Sequence, residues 1–535
     1  MIKRLVAVFT AFAVLYGCIC VRLYSLSAFG TDDVNSAQRR YTINISEIRG
    51  EIFDCNGEKL VMIECENVIA AKPTYKALTE LAKVLDADEL SYVEERIRKS
   101  NAVTLEIGKS TINENSDVIM LRKFRRYAEK QPAVHILGYR NGEGRGVYGI
   151  EKSFDEVLYS DKCISVSFTA DVYGRILGGT EIMVNNSDVK TGSVMLSVDS
   201  RIQKTVEDAL DKNGVKKGGA VVVEIETGAI RAAVSRPAFD ANNVSGYLAD
   251  KNSPLINRTL NPYSVGSVFK VIVAAAALEN GEGDFLYECT GSCEIDGTIF
   301  SCNKKTSHGK LDLTKALECS CNTYFIRLAE KVGAESILET ASLMGFGQEI
   351  QLADGIISKS GVLPSLKELS SSGAFANFSF GQGRFTATML QLSNMMSAVA
   401  NKGKYNIPYL IEKVTDADGN VIQSHTGGYP VYALSGGVSE RLTRMLVSVV
   451  ENGNAVMAKP SDGIFAAGKT ATAQTGVFNP DGTEVCNTWF AGFFPADNPK
   501  YSVVVLREEG SSGAVDCAPI FKCIADEIIK IEKNS

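Results

Sequence analysis

Serine and lysine three residues apart form the first pattern in this sequence that could carry out covalent chemistry. A serine becomes a nucleophile when a base lies within hydrogen-bonding distance, and a neutral, desolvated lysine can be that base. Histidine is the more common base, but the chain holds only 3 histidines, His135, His308 and His425. The Ser-x-x-Lys pattern occurs at several positions, among them Ser267/Lys270, Ser301/Lys304 and Ser307/Lys310. The pattern by itself therefore does not select a site.

The surroundings of the three pairs distinguish them. Ser267 follows Gly266 and opens the apolar stretch VFKVIVAAAALEN, which predicts a buried helix. Burial on that helix would lower the pKa of Lys270, and the helix N-terminus would offer N–H groups to a developing oxyanion. The other two pairs lie in a polar, turn-rich stretch and are interpreted as solvated loop residues. Ser267 is therefore the candidate nucleophile and Lys270 its candidate base.

Two further short motifs lie downstream and could complete a site. Ser-x-Asn occurs at Ser301-Cys302-Asn303 and at Ser320-Cys321-Asn322, and the second is preferred because it follows the helical stretch LDLTKALE. Lys-Thr-Gly occurs only at Lys190-Thr191-Gly192, ahead of a predicted strand, and is interpreted as an ordinary turn. The stretch AAGKTATAQTG, with Lys469-Thr470-Ala471-Thr472, instead predicts an edge strand. Its amides would bind a substrate in the manner of a neighbouring strand, and its lysine would hold a carboxylate.

The elements that must position these motifs can be predicted from residue patterns after Asp199. SRIQKTVEDALDK has the spacing of an amphipathic helix, and GGAVVVEIETGAIRAAVS predicts two strands joined at Glu226-Thr227-Gly228. Near the C-terminus, IFAAGKTATAQTG, NTWFAGFF and YSVVVLRE predict three more strands before a final helix. Strands at both ends of this region imply one antiparallel sheet covered by helices. The predicted fold class is mixed α/β, with this domain over residues 196–535.

Upstream of that domain, the sequence predicts a membrane anchor and a second domain. Residues 5–24 contain only one charged residue, Arg22. This stretch is long enough for a membrane span. Lys3 and Arg4 precede the span, so residues 1–4 are predicted in the cytoplasm and the bulk of the chain on the other side. A cleaved signal peptide ending near Ser25-Leu26-Ser27 is the alternative. Residues 31–195 predict a mixed α/β domain, with a helical stretch over 74–99 that breaks near Asp86–Asp88.

Composition limits the classes of protein that this chain can be. The 535 residues carry a net charge of -7 and are 45% hydrophobic, which excludes disorder as the main state and disfavours nucleic-acid binding. Among the 13 cysteines, Cys289 and Cys302 flank GSCEIDGTIF and could form a disulfide. Cys293 competes for that pairing, and free thiols are the other alternative. No cofactor and no metal site is expected, and Cys321 is interpreted as an inert filler of its motif.

The order of the three motifs resembles the active-site triplet of penicillin-binding proteins and serine β-lactamases. Further stretches are similar to class B (monofunctional) penicillin-binding proteins, and these are RGEIFDCNG (49–57), AVHILGYRNGEGRGVYGIEKSFDEVL (133–158), TGAIRAAVSRPAFD (227–240), HGKLDLTKALECSCNTYF (308–325), FGQGRFTATMLQLSNMMSAVANKG (380–403) and TWFAGFFPADNPKYSVVV (488–505). Each motif is weak alone, but the ordered set is specific and covers nearly the whole chain.

The resemblance implies a peptidoglycan D,D-transpeptidase with an elongated pedestal domain before the transpeptidase domain. Ser267 would attack the penultimate D-Ala carbonyl of a donor stem peptide, with Lys270 as general base. Ser320 would relay a proton towards the leaving group, and Asn322 would hold the donor's amide and help orient Lys270. β-Lactams would imitate D-Ala-D-Ala and acylate the same serine.

The resemblance also assigns roles along the predicted edge strand. Lys469 and Thr470 would bind the terminal carboxylate, and the N–H groups of Ser267 and Thr472 would form the oxyanion hole. Ala471 stands where the family usually has glycine, which predicts modestly weakened β-lactam acylation. Other departures lie at Val265, Cys55 and Met389.

Two other functions remain open on the sequence. The same residues would serve a D,D-carboxypeptidase or a β-lactamase, with water as the acceptor. Alternatively, the chain would be a weakly active scaffold for a polytopic membrane glycosyltransferase. The resemblance implies such a partner for the transpeptidase as well, because class B members commonly work beside one.

Overall fold

The computed structural model describes residues 2–29, 39–108, 110–185, 188–303, 306–425, 427–428 and 430–534. The chain divides into two compact units. The first unit comprises Met1–Arg49, Met62–Arg126 and Ser160–Lys190, and the second comprises Gly50–Val61, Tyr127–Tyr159 and Thr191–Ser535. The sequence predicts a cytoplasmic tail over 1–4, a membrane span over 5–24 and two domains over 31–195 and 196–535, and these ranges remain predictions. Residue 1, residues 31–38 and Lys304, from one of the Ser-x-x-Lys patterns, lie outside the described residues.

The helices are, in chain order, α1 (Ile2–Phe29), α2 (Tyr75–Leu81), α3 (Ala87–Arg98), α4 (Val134–Leu137), α5 (Gly149–Ser153), α6 (Asp155–Leu158), α7 (Ser200–Lys212), α8 (Lys270–Glu279), α9 (Leu313–Glu318), α10 (Asn322–Val332), α11 (Ala334–Leu343), α12 (Ser372–Ser379), α13 (Met389–Ala400), α14 (Gly436–Glu451), α15 (Gly513–Asp516) and α16 (Ala518–Asn534).

The strands are β1 (Arg39–Arg49), β2 (Glu51–Phe53), β3 (Glu64–Ala71), β4 (Val103–Glu106), β5 (Val118–Arg125), β6 (Tyr139–Arg140), β7 (Gly146–Tyr148), β8 (Tyr159–Ala170), β9 (Met183–Asn185), β10 (Ser193–Leu196), β11 (Gly218–Glu224), β12 (Ile230–Arg236), β13 (Tyr287–Cys289), β14 (Ser292–Ile295), β15 (Thr298–Ser301), β16 (Gly309–Leu311), β17 (Ile350–Ala353), β18 (Ile356–Ser358), β19 (Lys404–Tyr405), β20 (Ile411–Thr415), β21 (Val421–Ser424), β22 (Val431–Tyr432), β23 (Ala467–Phe478), β24 (Glu484–Phe494) and β25 (Tyr501–Gly510).

The first unit contains the sheets β1-β8-β9 and β4-β3-β5 together with α1, α2 and α3. The predicted break in the helical stretch 74–99 is confirmed, because α3 begins after Asp86. The Asp86 carboxylate accepts hydrogen bonds from the N–H groups of Asp88 and Glu89 and forms a capping box with Glu89, which satisfies the otherwise unpaired donors of the first turn. Within α1, Ile2–Ser25 has a mean hydropathy of 2.1 and is the one described helix long and apolar enough to cross a membrane.

The second unit is built on a five-stranded antiparallel sheet in the order β12-β11-β25-β24-β23. The prediction that both ends of this region share one sheet is confirmed, because β11 pairs with β25 in the register Ala220 to Val505. The turn Glu226-Thr227-Gly228 joins β11 to β12 as predicted. At the other side, β24 is the only described strand that pairs with β23, which is therefore the edge strand that the sequence predicts.

Helices cover this sheet and complete its core. Phe521 of α16 lies with its ring centroid 4.4 Å from that of Phe490 in β24, and it also contacts Phe494. The helix α13 is buried from Met389 to Val399, and Ser393 in it bonds to Ser502 of β25. The sheet and its helices therefore share one packed core, and the edge strand β23 has one open side.

Candidate active site

Ser267 lies in a tight turn, and glycines allow this turn to approach the edge strand closely. The turn is the 3-10 helix Gly266–Phe269, which leads directly into α8. Gly266 has φ +57°, in the left-handed region that favours glycine, and a Cβ there would lie 2.9 Å from the carbonyl oxygen of Thr472. Its N–H donates to the carbonyl of Gly381 over 3.0 Å. A Cβ on Gly381 would lie 2.0 Å from the Gly266 oxygen, so both positions need glycine to bring Ser267 beside β23.

Lys270 follows the turn and is completely buried at the start of α8. Residues three apart in a 3-10 turn lie one above the other, so Ser267 and Lys270 share a face. Lys270 Nζ donates to the Ser320 carbonyl oxygen over 2.7 Å, to Asn322 Oδ1 over 2.7 Å and to Ser320 Oγ over 3.2 Å. The structure thus brings the first motif and the preferred Ser-x-Asn motif together.

Burial changes the proton affinity of Lys270. Loss of solvent lowers the pKa of its ammonium group to about 8, although negative charge on Cys321, Cys302 or Cys319 would act in the other direction. About a tenth of the group is then neutral at pH 7. A neutral amine has two protons, which the two 2.7 Å bonds to Ser320 and Asn322 use. Its lone pair would then remain available to accept a further proton.

The segment that carries Ser320 and Asn322 is held by local structure. Ser320 has φ +53°, an uncommon conformation for a residue with a side chain, and it connects α9 to α10. Cys321 is the N-cap of α10, where its Sγ accepts from the N–H of Tyr324 over 3.4 Å. Asn322 Nδ2 donates to the carbonyl of Ser301 over 3.0 Å. Ser301 itself ends strand β15, so its interpretation as a loop residue is wrong.

The candidate residues of β23 follow one another along the edge strand. Lys469 is completely buried, and both burial and the charge of Lys270 lower the pKa of its ammonium group. Thr470 Oγ1 donates to Asn454 Oδ1 over 3.0 Å. Ala471 is 4% exposed, and Thr472 is exposed. Two buried amines near one another favour an anionic group in the cleft.

Three further predictions about individual residues can be compared with the structure. Trp489 pairs with Ala471 and is 0% exposed, and its indole N–H donates to the Ser264 carbonyl over 2.9 Å, which agrees with its interpretation as a packing residue. Lys190-Thr191-Gly192 precedes β10, and these three residues belong to no helix, strand or turn. Cys289 and Cys302 are free thiols in the structure, so the alternative of a disulfide between them is not formed.

Sequence reasoning missed two features beside the site. Asn454, which contacts Thr470, lies in the segment after α14 and has no motif to mark it. The thiols of Cys289, Cys302 and Cys321 lie close together with the imidazole of His308. The spacing of these four residues resembles no common metal-binding pattern, so only the fold shows that they meet.

Comparison with known proteins identifies the family of this chain. Residues 218–526 match the family model of the penicillin binding protein transpeptidase domain. Penicillin-binding protein PbpB of Mycolicibacterium smegmatis is 30% identical over 76% of this chain, and the match covers 64% of that protein. Peptidoglycan D,D-transpeptidase MrdA of Escherichia coli is 25% identical, and the match covers 100% of this chain and 95% of that protein.

Solved structures show the same fold. The D,D-transpeptidase domain of a peptidoglycan glycosyltransferase from Eggerthella lenta superposes with a TM-score of 0.67 at 24% identity, covering 92% of this chain and 100% of that one. Penicillin binding protein 3 of Mycobacterium tuberculosis, complexed with aztreonam, gives a TM-score of 0.65 at 24% identity, covering 92% of this chain and 97% of that one. The matched domain and the relatives together show that the chain belongs to the penicillin-binding protein transpeptidases, as a class B member.

Proposed function

We propose that this chain is a peptidoglycan D,D-transpeptidase that cross-links stem peptides through an acyl-enzyme on Ser267. The observation that carries the proposal is the buried amine of Lys270, which contacts both Ser320 and Asn322 and follows Ser267 by one turn. A buried lysine with a pKa of about 8 is a competent base near neutral pH, and no histidine is needed.

Acylation of Ser267 would require two proton transfers, one from the attacking serine and one to the departing amine. Ser267 Oγ attacks the carbonyl carbon of the penultimate D-Ala while its proton passes to Lys270. The N–H groups of Ser267 and Thr472 stabilise the tetrahedral oxyanion, each worth about 3–4 kcal/mol. Collapse breaks the peptide bond, and the Ser320 hydroxyl donates a proton to the departing amine of D-Ala. Lys270 then returns its proton to Ser320.

Substrate binding would use the edge strand. The donor peptide lies along β23 as an added strand, with the terminal carboxylate at Lys469 and Thr470. The Asn322 side chain holds the donor's amide. In the second half-reaction an acceptor amine attacks the ester on Ser267 and forms the cross-link. A β-lactam acylates the same serine, but the ring-opened product leaves no departing group and the ester persists.

The proposal extends to the location and partner of the protein. The span over residues 5–24 would anchor the chain, with residues 1–4 in the cytoplasm and the two units on the other side of the membrane. The support is the apolar segment Ile2–Ser25 and the positive residues Lys3 and Arg4. We include a polytopic membrane glycosyltransferase as the partner that would supply glycan strands, and co-purification of such a protein through the intact anchor tests this.

The reaction itself is tested with a donor pentapeptide and an acceptor amine. The detergent-solubilised full chain should release D-Ala and form the cross-linked product, whereas Ser267→Ala should do neither. Ser264→Ala is the matched control, because this residue is also partly exposed and lies three positions earlier. Release of D-Ala without a cross-linked product would instead support a carboxypeptidase. Equal activity of the wild type and Ser267→Ala would refute the proposal.

A further inference from the structure

Asn454 lies at the end of the candidate active site where the carboxylate of a donor peptide would bind. It follows α14 and is exposed to solvent, whereas the next residue, Ala455, is 0% exposed. The side chain of Asn454 contacts Thr470 in β23, whose hydroxyl donates to Asn454 Oδ1 over 3.0 Å. The two residues are 16 positions apart in sequence, so the fold brings them together.

The backbone of Asn454 is held by the segment that leads to Ser320. The N–H of Asn454 donates to the carbonyl of Glu318 over 3.0 Å. The preceding residue, Gly453, packs so closely on this segment that a Cβ there would lie 2.9 Å from Glu318 Cα. These backbone contacts fix the position of Asn454, and its side chain is left to interact with Thr470.

The direction of the Thr470 hydroxyl in the structure does not suit an anionic ligand. A hydroxyl has one proton, and in Thr470 this proton is donated to Asn454 Oδ1. The hydroxyl oxygen then offers only lone pairs to any other group. A carboxylate is an acceptor without protons, so its oxygens would face those lone pairs and gain no hydrogen bond. For Thr470 to bind a carboxylate, its proton must be released from Asn454.

The side-chain amide of Asn454 can release this proton by turning over. One end of an amide is an acceptor and the other carries two N–H donors, and a half-turn about χ2 exchanges the two ends. Among the residues that the structure describes, none accepts a hydrogen bond from Asn454 Nδ2, and the exposed side chain has room to turn. After the half-turn, Nδ2 donates to Thr470 Oγ1, and the hydroxyl proton is free to point at a carboxylate.

We propose that Asn454 is a positioning residue that sets the direction of the Thr470 hydroxyl and thereby selects ligands that carry a carboxylate. The amide turns when the carboxylate binds, and the ligand accepts one hydrogen bond from Thr470 beside the charge of Lys469. Only hydrogen bonds are exchanged, and every proton stays on its own residue. The inference rests on the proposed function, because it takes the carboxylate at Lys469 and Thr470 from that proposal.

The residue type at position 454 is what the proposal depends on. Asparagine offers a donor and an acceptor at equal reach, and either end can meet the Thr470 hydroxyl. An aspartate has nearly the same shape but only acceptors, so it would keep the Thr470 proton turned away from a ligand. It would also place a negative charge beside the bound carboxylate. Leucine has a similar size and offers neither donor nor acceptor.

The direct test compares acylation by benzylpenicillin with acylation by its methyl ester, in which the carboxylate charge is absent. The ratio of the two second-order rate constants, measured on the full chain in detergent, reports recognition of the carboxylate. Asn454→Asp should lower this ratio about tenfold or more. Asn452→Asp is the matched control, because Asn452 is also exposed and its side chain donates to Ser448 rather than contacting Thr470. This control should change the ratio by less than about twofold.

The outcomes of this comparison are distinct. A merely structural role of Asn454 would lower both rate constants together and leave their ratio unchanged, which would overturn the proposal. An equal fall of the ratio in Asn452→Asp would also overturn it, since added charge alone would then be sufficient. A wild type that forms no adduct with either compound would refute the proposed function, and this inference with it.

A double-mutant cycle shows whether Asn454 acts through Thr470. Asn454→Leu adds no charge and should lower the ratio about three- to tenfold, because the Thr470 hydroxyl is no longer oriented. Thr470→Val keeps the shape of the threonine but has no hydroxyl, and in this background Asn454→Leu should leave the ratio unchanged. An equal loss in both backgrounds would show that Asn454 contacts the ligand directly, which would contradict the positioning role.

Discussion

At the scale of single residues, the chemistry depends on how the fold treats Lys270. A lysine in water is protonated at neutral pH, but burial against apolar residues of α8 removes the solvent that stabilises its charge. The oxygen atoms of Ser320 and Asn322 then hold the amine in place. The lowered pKa of this amine thus arises from the position of the lysine rather than from its residue type.

The first prediction concerns the pH dependence of acylation by penicillin. Only the neutral amine of Lys270 can take the proton of Ser267, so the rate falls as pH falls through the pKa of about 8. The second-order rate constant should rise about tenfold from pH 7 to pH 9 and then level off. Stopped-flow or gel-based labelling across this range measures it. Lys270→Arg has no accessible neutral form and should be inert, and a flat wild-type profile would argue against Lys270 as the base.

The second prediction concerns Ala471 in the edge strand. Its methyl group shares a face of the sheet with the indole of its partner Trp489 and is 4% exposed, so it crowds a bound ligand only modestly. Ala471→Gly should raise the acylation rate constant about two- to fivefold. Ala467→Gly, in the same strand but at its buried start, controls for the loss of strand stability. Equal acylation rates for the wild type and Ala471→Gly would show that the methyl group of Ala471 does not crowd the ligand.

At the scale of elements, the position of the nucleophile depends on close contact between two backbone turns. The 3-10 turn at Gly266 packs against the segment at Gly381, and both glycines have φ values that residues with a side chain rarely adopt. The order of these elements in the chain does not suggest the contact. The turn can lie beside β23 because glycines allow close contact between the backbone segments.

The third prediction tests that contact with two glycines of one segment. Gly381→Ala places a Cβ 2.0 Å from the Gly266 carbonyl, which should displace Ser267 and slow acylation about a hundredfold. Gly383→Ala has a similar φ, but its Cβ meets only Asn377 at 3.6 Å. Both variants should lose about 1–2 kcal/mol of stability from the strained φ. Only Gly381→Ala should lose acylation, and equal effects of the two would show that strain alone matters.

The regular elements could be predicted from sequence where local pattern reflects burial. The helix α7, the hairpin β11–β12 and the strands β23–β25 lie where apolar spacing places them. Ser267, Lys270 and the second Ser-x-Asn motif could also be selected, because each lies in a distinctive context. The meeting of Cys289, Cys302, Cys321 and His308 and the contact of Asn454 with Thr470 could not be predicted, since both depend on how distant segments pack.

At the scale of the whole molecule, strands from the beginning and the end of the second unit pair in one sheet. The strands β11 and β12 precede the nucleophile in sequence, whereas β23, β24 and β25 lie near the C-terminus, and all five share one sheet. The last helix, α16, then packs on that sheet through Phe521. The edge strand β23 therefore belongs to a sheet that contains strands from both ends of the unit.

The fourth prediction follows from this arrangement. Phe521→Ala removes a completely buried ring that contacts Phe490 and Phe494, which should cost about 3–5 kcal/mol. Thermal unfolding of the full chain should show a midpoint lowered by about 5 °C. Val515→Ala changes a side chain that is 60% exposed and should leave the midpoint almost unchanged. A midpoint that Phe521→Ala does not lower would show that α16 does not stabilise the sheet.

The most direct test of the account is to find where penicillin attaches. The full chain in detergent is incubated with penicillin, and its intact mass and proteolytic peptides are measured beside those of Ser267→Ala. The account predicts one stable adduct on the peptide that contains Ser267 and none on the variant. An adduct on another residue, or an unchanged adduct on folded Ser267→Ala, would contradict the assignment of Ser267 as the nucleophile.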